Sequence, residues 1–404
     1  MRADLVLFGS KRDRRYALRR TIAEVGSSIP VFEVEEAGGV TRLATLHAVE
    51  PGGFCLEFDV PTSANDRFTD DFPSFMADLR PEGFLGRRVP RLHPELRLPE
   101  DVRLWSADHC LRWLVRYGWD AVGNLLVGEA SFREYVSRSL TRADPIDRSD
   151  YPRLAGEALA MGAPGSSAGG EQPKFVAIRA PDSVPVLVKF SPPVADPVSR
   201  RIADLLVCEH LAHRTLEAHG HPACRSVVLT IGRTRFLEVE RLDRAGAHGR
   251  RGVVSLRALD AEYAGRLGTW SETAEALARE GVLDRDLLPA IRWLELFGRF
   301  IGDSDMHGGN LSFHTRQARL VGLAPAYDRL PMLYAPIHGQ VPGARFEAPL
   351  PAPDDVTAWK GARAAAIDFW RAAAGDRRIS PGFRQVARRN EGQIQGLEDL
   401  AARL

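Results

Sequence analysis

The sequence predicts a protein of the α+β class, with a small β-rich N-terminal subdomain and a helical C-terminal lobe. The chain has 404 residues, which is more than a single compact core usually absorbs. Strand-like alternation and glycine breaks lie mostly before residue 240, whereas apolar residues at helical spacing dominate the remainder. Two lobes with an additional N-terminal subdomain therefore account best for the pattern.

Composition excludes several classes of protein. The hydrophobic fraction of 44% and the charged fraction of 26% are typical of a globular protein. The longest apolar runs, such as Val184–Val188, have the length of a strand, so no membrane partner is expected. No apolar leader is visible, and the four cysteines form no zinc or CxxC pattern, so we expect a cytoplasmic location. A net charge of +1 predicts no general attraction to nucleic acid.

The first part of the chain predicts two segments. Residues 5–20 read as two strands around an arginine-bearing turn, which gives a hairpin segment at 1–25. The next segment, 26–145, contains predicted strands at Val31–Val34 and Thr41–Leu46 and helical patterns at 70–79, 107–117 and 129–139. Pro145 and its polar neighbours predict the boundary.

Two further domains are predicted after Pro145. The domain 146–245 contains a Gly/Ser loop at 162–170, strands at Lys174–Arg179, Val184–Phe190, 226–231 and 235–240, and a helix from Asp196 to about Ala218. The domain 246–404 is helical except for a hairpin near 311–323. Its last stretch, 382–404, predicts one amphipathic helix with Leu397, Leu400 and Leu404 as the apolar stripe.

A polar loop follows a predicted buried helix: residues 301–313 read IGDSDMHGGNLSF. The hairpin after it would return the chain and bring Asn310 and Asp328 together beside Asp305. Amide and carboxylate oxygens suit Mg²⁺, and Asp305 would accept the proton of a substrate hydroxyl. The order of these three residues therefore predicts phosphoryl transfer.

A simpler interpretation is that these side chains cap turns in a glycine-rich loop. For Asp303 alone we favour that interpretation. His307 is a candidate catalytic residue, but a histidine in such a loop more often orients the backbone through a hydrogen bond than carries a proton.

The stretch GAPGSSAGGEQPKF at 162–175 leaves many backbone N–H groups free, and these can cradle phosphate. A flexible linker has a similar composition. The loop leads into a strand that opens with Lys174, and the next strand ends with Lys189. Both are among only four lysines in the chain (Lys11, Lys174, Lys189 and Lys360).

Lys189 is predicted to bind phosphate, because a lysine on a strand face beside leucine needs an anionic partner. Alternatively, either lysine is an edge residue whose ammonium reaches solvent. Glu209 interrupts the apolar stripe of the helix after Asp196, and we expect it to pair with Lys189 or with an arginine.

These residues resemble the HipA family of bacterial serine/threonine kinases. The matching segments are SSAGGEQPKF (166–175), VKF (188–190), VERLDR (239–244), IGDSDMHGGN (301–310) and APAYDR (324–329), with PEGFLGRRVP (81–90) and YGWDAVGNLLVGE (117–129) upstream. The resemblance implies a protein-kinase-like two-lobed fold and an ATP- and Mg²⁺-dependent kinase that phosphorylates protein.

By the same resemblance, Asp305 is the catalytic base, and Asn310 and Asp328 are the Mg²⁺ ligands. The residues expected to contact ATP are Ser167, Gly169 and Gly170 of the loop, Lys189, and the backbone of Glu240 and Leu242 in the hinge. Ser167, or its neighbour Ser166, is the expected autophosphorylation site, and phosphorylation there would eject the loop and silence the enzyme.

The version GSSAGGEQPKF and the start of the chain look closest to the YjjJ-like branch, which has an N-terminal winged helix-turn-helix. Residues 1–25 resemble only the wing of that domain, so weak or no autonomous DNA binding is expected. Family members imply an antitoxin partner and a protein substrate such as an aminoacyl-tRNA synthetase.

Three other functions stay open at this point. A small-molecule kinase would use the same Asp-His-Asn loop and metal-binding acid. A DNA-associated regulator would use the arginine-bearing hairpin, although the net charge of +1 argues against strong binding. A Mg²⁺-dependent nuclease would use the same acids without a nucleotide.

Overall fold

The computed structural model describes residues 5–8, 15–59, 68–141, 145–161 and 172–403. Strands and helices alternate through these ranges, which confirms the α+β class. The predicted phosphate-loop residues Ser166, Ser167, Gly169 and Gly170 lie outside them. Among the described residues, no helix combines the length and apolarity needed to cross a membrane.

The elements are numbered along the chain. The strands are β1 (Leu5–Phe8), β2 (Arg15–Leu18), β3 (Ser28–Val34), β4 (Val40–Ala48), β5 (Phe54–Phe58), β6 (Phe68–Thr69), β7 (Leu125–Val127), β8 (Lys174–Arg179), β9 (Val184–Phe190), β10 (Ser226–Ile231), β11 (Thr234–Glu240), β12 (Arg244–Ala245), β13 (Gly249–Arg250), β14 (Gly252–Ser255), β15 (Ser312–Arg316) and β16 (Arg319–Leu323). The α-helices are α1 (Ser74–Ala77), α2 (Gly83–Gly86), α3 (Val89–Leu92), α4 (Ala107–Tyr117), α5 (Glu129–Leu140), α6 (Tyr151–Ala160), α7 (Pro197–Ala218), α8 (Leu256–Leu259), α9 (Trp270–Arg279), α10 (Leu288–Ile301), α11 (Val356–Gly375), α12 (Pro381–Gln395) and α13 (Glu398–Arg403).

The described chain divides into two compact units. The first comprises residues up to Pro145 together with Leu242–Val254 and Phe313–Gly322, and the second comprises Ile146–Arg241, Ser255–Ser312 and the chain from Leu323 onward. The two units are defined by compactness, whereas the four predicted domain ranges were defined by sequence pattern. The predicted ranges therefore stay predictions.

The first unit is built on an antiparallel five-stranded sheet with the order β6-β5-β4-β3-β7. Alternating apolar residues of its strands, such as Val31 and Leu46, are buried with residues of α4. The predicted hairpin at 5–20 is confirmed: β1 pairs antiparallel with β2, and Val6 packs against Val49 and Cys55.

The second unit contains an antiparallel sheet with the order β10-β11-β9-β8, as the strand predictions in 174–240 anticipated. Phe175, Phe190 and Phe236 cluster with Tyr151 of α6 on one face of this sheet. Strand alternation therefore turns Lys189 to the opposite face, and its partner across the β8–β9 ladder is Lys174.

The predicted helix after Asp196 is α7, and its start is set by a capping box. The Asp196 carboxylate accepts hydrogen bonds from the backbone N–H groups of Val198 and Ser199, while Ser199 accepts one in return from the Asp196 N–H. This cap fixes the register of the helix that holds Glu209.

The remainder of the second unit is helical. The aromatic side chains of Phe297, Phe300, Trp359, Phe369 and Trp370 are fully buried where α10 and α11 pack together. The predicted single helix at 382–404 is wrong, because α12 ends before Gly396 and α13 begins at Glu398. The stripe buried on α12 is formed by Phe383, Ala387 and Ile394, whereas Leu397 and Leu400 are only partly buried.

Candidate active site

Lys189 lies near the end of β9 and is only 4% exposed. Its Nζ is 2.7 and 2.9 Å from the two carboxylate oxygens of Glu209 on α7, which confirms the predicted pair. The same Nζ also donates to Oδ1 of Asp328. The interpretation of Lys189 as a solvent-reaching edge residue is therefore wrong, since two carboxylates hold the ammonium inside the protein.

The two neighbouring carboxylates keep the Lys189 ammonium ionised. Burial alone would lower the pKa of Lys189, but the charges of Asp328 and Glu209 outweigh burial and raise it. Burial would likewise raise the pKa of Asp328, but the ammonium groups of Lys189 and Lys174 hold it well below its usual range. For Glu209 burial dominates, and the pKa is raised despite Lys189.

The loop predicted to contain the base starts where α10 ends at Gly302, whose φ of 74° is left-handed. Asp303 is buried, and its Oδ1 accepts a hydrogen bond from the Asp305 N–H at 3.2 Å, which confirms the capping interpretation for Asp303. The Asn310 side chain donates to the Asp305 carbonyl at 2.9 Å. Within the described chain, the Asp305 carboxylate is exposed and has no hydrogen-bond partner.

His307 orients this loop through its backbone contacts, as its sequence context suggested. Its Nδ1 accepts a hydrogen bond from the Gly309 N–H at 3.0 Å, and its carbonyl accepts one from the Trp270 indole at 3.0 Å. A Cβ on Gly309 would lie 2.9 Å from the His307 ring, so the close approach requires glycine there. A catalytic role for His307 stays a prediction.

The chain then returns as predicted. The Ala324 N–H donates to the Ser312 carbonyl at 2.9 Å, so the two ends of the hairpin lie side by side. The Tyr327 hydroxyl donates to the Gly309 carbonyl at 2.7 Å and lies 2.6 Å from the Ser312 hydroxyl. Tyr327 thus joins the segment containing Asp328 to the loop containing Asn310.

One contact of this site was missed by the sequence analysis. Arg329, next to Asp328, is 1% exposed and lies 3.0 Å from Oδ2 of Asp303. Burial raises the pKa of Asp303 to about 6, although the Arg329 charge opposes this shift. An arginine beside an acid gives no sequence signal for a partner so far away along the chain.

The two predicted hinge residues, Glu240 and Leu242, belong to different compact units. Glu240 ends β11 in the second unit, and its carboxylate accepts a hydrogen bond from Arg179 at 3.2 Å. Leu242 belongs to the first unit. Their contact with a nucleotide stays a prediction.

The predicted metal ligands are one amide and one carboxylate. Asn310 is partly buried, and the Asp328 side chain is 32% exposed, so both can present oxygen to a bound ion. No group of three or more His, Cys, Asp or Glu residues suited to a metal occurs in the part of the chain that the structure describes. Two protein oxygens completed by phosphate and water are the usual manner of binding Mg²⁺, so Asn310 and Asp328 fit this ion.

Comparison with known proteins places this site in context. Residues 166–388 match the HipA-like C-terminal domain, and residues 25–136 match the middle domain of YjjJ-like toxins. The toxin YjjJ of Escherichia coli (strain K12) is 36% identical over 407 residues, which cover 99% of this chain and 91% of that protein.

A solved HipA structure shows the same fold at lower identity. HipA from the Shewanella oneidensis MR-1 complex of HipA, HipB and operator DNA superposes with a TM-score of 0.56 and 15% identity, covering 90% of this chain and 95% of that one. The proinflammatory kinase CtkA of Helicobacter pylori gives a TM-score of 0.41 and 11% identity, covering 57% of this chain and 93% of its own. The domain matches and the full-length similarity together show that the chain belongs to the HipA-like family of toxins, in its YjjJ-like branch.

Proposed function

We propose that this protein is an ATP- and Mg²⁺-dependent serine/threonine protein kinase of the toxin type. The observation that supports this most strongly is the ammonium of Lys189 between Glu209 and Asp328. A buried lysine held by a helix glutamate, beside a metal-binding acid, is the arrangement that orients nucleotide phosphates in protein kinases.

Mg²⁺-ATP would supply the γ-phosphoryl group and neutralise its charge. Asn310 and Asp328 are the residues of this chain that would hold the ion. Lys189 would bind phosphate oxygens, and the backbone of Glu240 and Leu242 would contact the adenine.

Asp305 would accept the proton of a serine or threonine hydroxyl. The bond from that oxygen to the γ-phosphorus would form while the bond from phosphorus to the β–γ bridging oxygen breaks. ADP would leave with the bonding electron pair. The exposed Asp305 carboxylate without a hydrogen-bond partner in the described chain supports this role.

The Gly/Ser loop is proposed to cradle phosphates through Ser167, Gly169 and Gly170. Autophosphorylation at Ser167, or at Ser166, would remove the loop from the nucleotide and end activity. These roles depend on the family resemblance, since the loop lies outside the described residues.

The partners are proposed on the same basis. The solved HipA relative is in a complex with HipB and operator DNA, and we propose that this chain also has an antitoxin partner and acts in the cytoplasm. We propose an intact protein as the phosphate acceptor, with an aminoacyl-tRNA synthetase as the candidate that the family suggests.

The decisive test is incubation with γ-labelled ATP and Mg²⁺, followed by mapping of phosphorylated residues. Wild type should label itself at Ser167 or Ser166. Asp305→Asn should lower the rate by at least about 10²-fold, since the base is lost, and a chelator should abolish the reaction.

Asp399→Asn makes the same chemical change at an exposed position of α13 and should leave the rate unchanged. Equal labelling of wild type and Asp305→Asn would contradict the proposal. Label transferred to a metabolite panel but to no protein would instead indicate a small-molecule kinase.

A further inference from the structure

Arg329 and Asp303 form a buried ion pair at the centre of the candidate site. Arg329 follows the proposed metal ligand Asp328, and Asp303 precedes the proposed base Asp305 by two residues. Their side chains are 1% and 0% exposed, and Nη1 of Arg329 lies 3.0 Å from Oδ2 of Asp303. The pair therefore joins the two chain segments that hold the proposed reacting groups.

Both partners are also fixed from their own sides. The Nε of Arg329 donates to the Tyr327 carbonyl at 3.1 Å, so the guanidinium is tied to the segment before Asp328. The Oδ1 of Asp303 accepts the Asp305 N–H at 3.2 Å, so the carboxylate is tied to the backbone of the base. A short chain of contacts thus links the Asp305 backbone to the segment before Asp328.

Trp270 of α9 supports the same arrangement from a third element. Its ring lies under the guanidinium of Arg329, with 4.5 Å between the ring centroid and the guanidinium carbon. Its indole N–H donates to the His307 carbonyl at 3.0 Å. Trp270 therefore contacts both the arginine and the far end of the loop that contains Asp305.

Stability alone does not account for this pair. Among the described residues, Oδ2 of Asp303 and both Nη atoms of Arg329 make no well-aligned hydrogen bond. A buried ion pair whose hydrogen bonds are incomplete recovers little of the free energy lost on desolvation, and apolar residues of similar volume often serve as well. Apolar residues at positions 303 and 329 would pack together, but they would not attract the Asp305 and Asp328 segments in a defined direction.

We propose that Arg329 and Asp303 are positioning residues that set the separation of Asp305 from Asp328. The inference depends on the proposed kinase function, because these are the groups assigned to the proton and to the metal ion. Neither residue is assigned a contact with the substrate or the nucleotide. A displacement of about 1 Å between reacting groups can cost about 10²-fold in rate, so loss of the pair should lower kcat.

The test is the double variant Asp303→Asn/Arg329→Met. Asparagine retains an oxygen for the Asp305 N–H, and methionine fills part of the arginine volume without leaving a lone buried charge. The variant thus removes the ion pair while avoiding the instability that a single replacement can cause. Arg329→Lys keeps the charge and should give a kcat between those of wild type and the double variant.

A matched control exists in the same unit. Arg292 and Asp355 are also an arginine and an aspartate 3.0 Å apart, with side chains 29% and 23% exposed. The double variant Arg292→Met/Asp355→Asn removes this ion pair, together with the second ion pair of Arg292 with Glu275, away from the loop. It should keep the wild-type kcat.

Three measurements decide the matter: thermal unfolding, hydrogen exchange and steady-state kinetics. Thermal unfolding should show that both double variants are folded, and hydrogen exchange should be faster in the peptide covering 301–310 only for Asp303→Asn/Arg329→Met. Its kcat for phosphoryl transfer should fall about 10²-fold, with the KM for ATP little changed. Unchanged exchange in 301–310 would overturn the inference, and so would faster exchange with a wild-type kcat.

Failure of the proposed function is a separate result. If wild type transfers no phosphate and Asp305→Asn behaves identically, the kinase proposal fails. The exchange measurement still decides whether the pair fixes the loop, since it needs no substrate.

Discussion

The sheet β10-β11-β9-β8 has a buried ionic cluster on each face, and the two clusters differ in how completely their groups are satisfied. On the face that packs against α6, Glu238 is surrounded by donors. On the opposite face, Lys189 is shared by two carboxylates. In the first cluster every carboxylate oxygen has donors from the protein, whereas the second cluster includes a carboxylate that is partly exposed.

The Glu238 cluster is closed. The carboxylate is 1% exposed and accepts hydrogen bonds from Arg148 at 2.8 and 2.9 Å, from Arg179 at 2.8 Å and from the Tyr151 hydroxyl at 2.7 Å. Burial would raise the pKa of Glu238, but these donors outweigh burial and lower it. Because its oxygens are occupied, this carboxylate has no capacity for a further ligand.

The Lys189 cluster is open on one side. Glu209 is buried at 1% exposure and uses both oxygens on Lys189, whereas the Asp328 side chain is 32% exposed. In the proposed kinase, the partly exposed carboxylate would exchange its contact with the ammonium for a metal ion, and the ammonium would then bind phosphate. A partly exposed carboxylate that still has room for another partner, such as that of Asp328, therefore indicates a binding site more clearly than a fully buried carboxylate does.

The largest expected effect comes from breaking the closed cluster. Glu238→Ala should lower the free energy of unfolding by about 3–5 kcal/mol, because it removes the acceptor that Arg179 and Tyr151 share inside the protein. Urea denaturation measures this change. Glu240→Ala is the control, since that carboxylate is 31% exposed and makes only one contact with Arg179, and it should cost less than about 1 kcal/mol. Equal losses of unfolding free energy in Glu238→Ala and Glu240→Ala would show that the buried Glu238 carboxylate stabilises the protein no more than the partly exposed Glu240 carboxylate does.

The next effect concerns the open cluster. Lys189→Met should lower the rate of phosphoryl transfer by about 10²–10³-fold, which is typical of losing one preorganised group that stabilises charge. The measurement is the initial rate with labelled ATP, normalised to folded protein by circular dichroism.

Arg179→Met is the matched control on the other face of the sheet. It should destabilise the protein yet keep the rate within about threefold, because Arg179 contacts the side-chain carboxylate of Glu240, whereas the proposed adenine contact uses the Glu240 backbone. A similar loss of rate in Lys189→Met and Arg179→Met would mean that the Lys189 face is no more important for phosphoryl transfer than the Glu238 face.

Local patterns were enough to predict the parts of this site that depend on one element at a time. Strand alternation placed Lys189 away from Phe190, and spacing along α7 put Glu209 in an apolar stripe that requires a cation. The hairpin β15–β16 followed from its turn signals. Each of these inferences uses contacts within a few residues along the chain.

Contacts between distant elements could not be predicted in the same way. Asp328 was expected to bind a metal, but its hydrogen bond to Lys189 joins positions 139 residues apart. The partner of Arg329 depends on how α10 ends and on where Trp270 of α9 lies. Such contacts are fixed by packing of whole elements, for which a single sequence has no local signal.

The smallest effect concerns a buried neutral group behind the open cluster. His213 lies one turn after Glu209 on α7 and is 1% exposed, with its Nδ1 3.3 Å from the Ser226 hydroxyl. Burial, and then the charge of Lys189, lower the pKa of His213 to about 3. Between this value and an unfolded pKa of about 6.5, the unfolded chain binds the extra proton and the folded protein does not.

Folding stability should therefore fall as pH drops below about 6.5, and His213 should contribute about 2 kcal/mol to the difference between pH 7 and pH 5. Denaturant titrations of wild type and His213→Asn at both pH values measure that share. The variant should lose less stability on acidification than wild type, whereas His248→Asn, at an exposed histidine of the first unit, should behave as wild type does. Identical pH dependence in wild type and His213→Asn would mean that His213 binds its proton in the folded protein. The protein interior next to Lys189 would then tolerate a second positive charge as readily as the partly exposed position of Asp328 does.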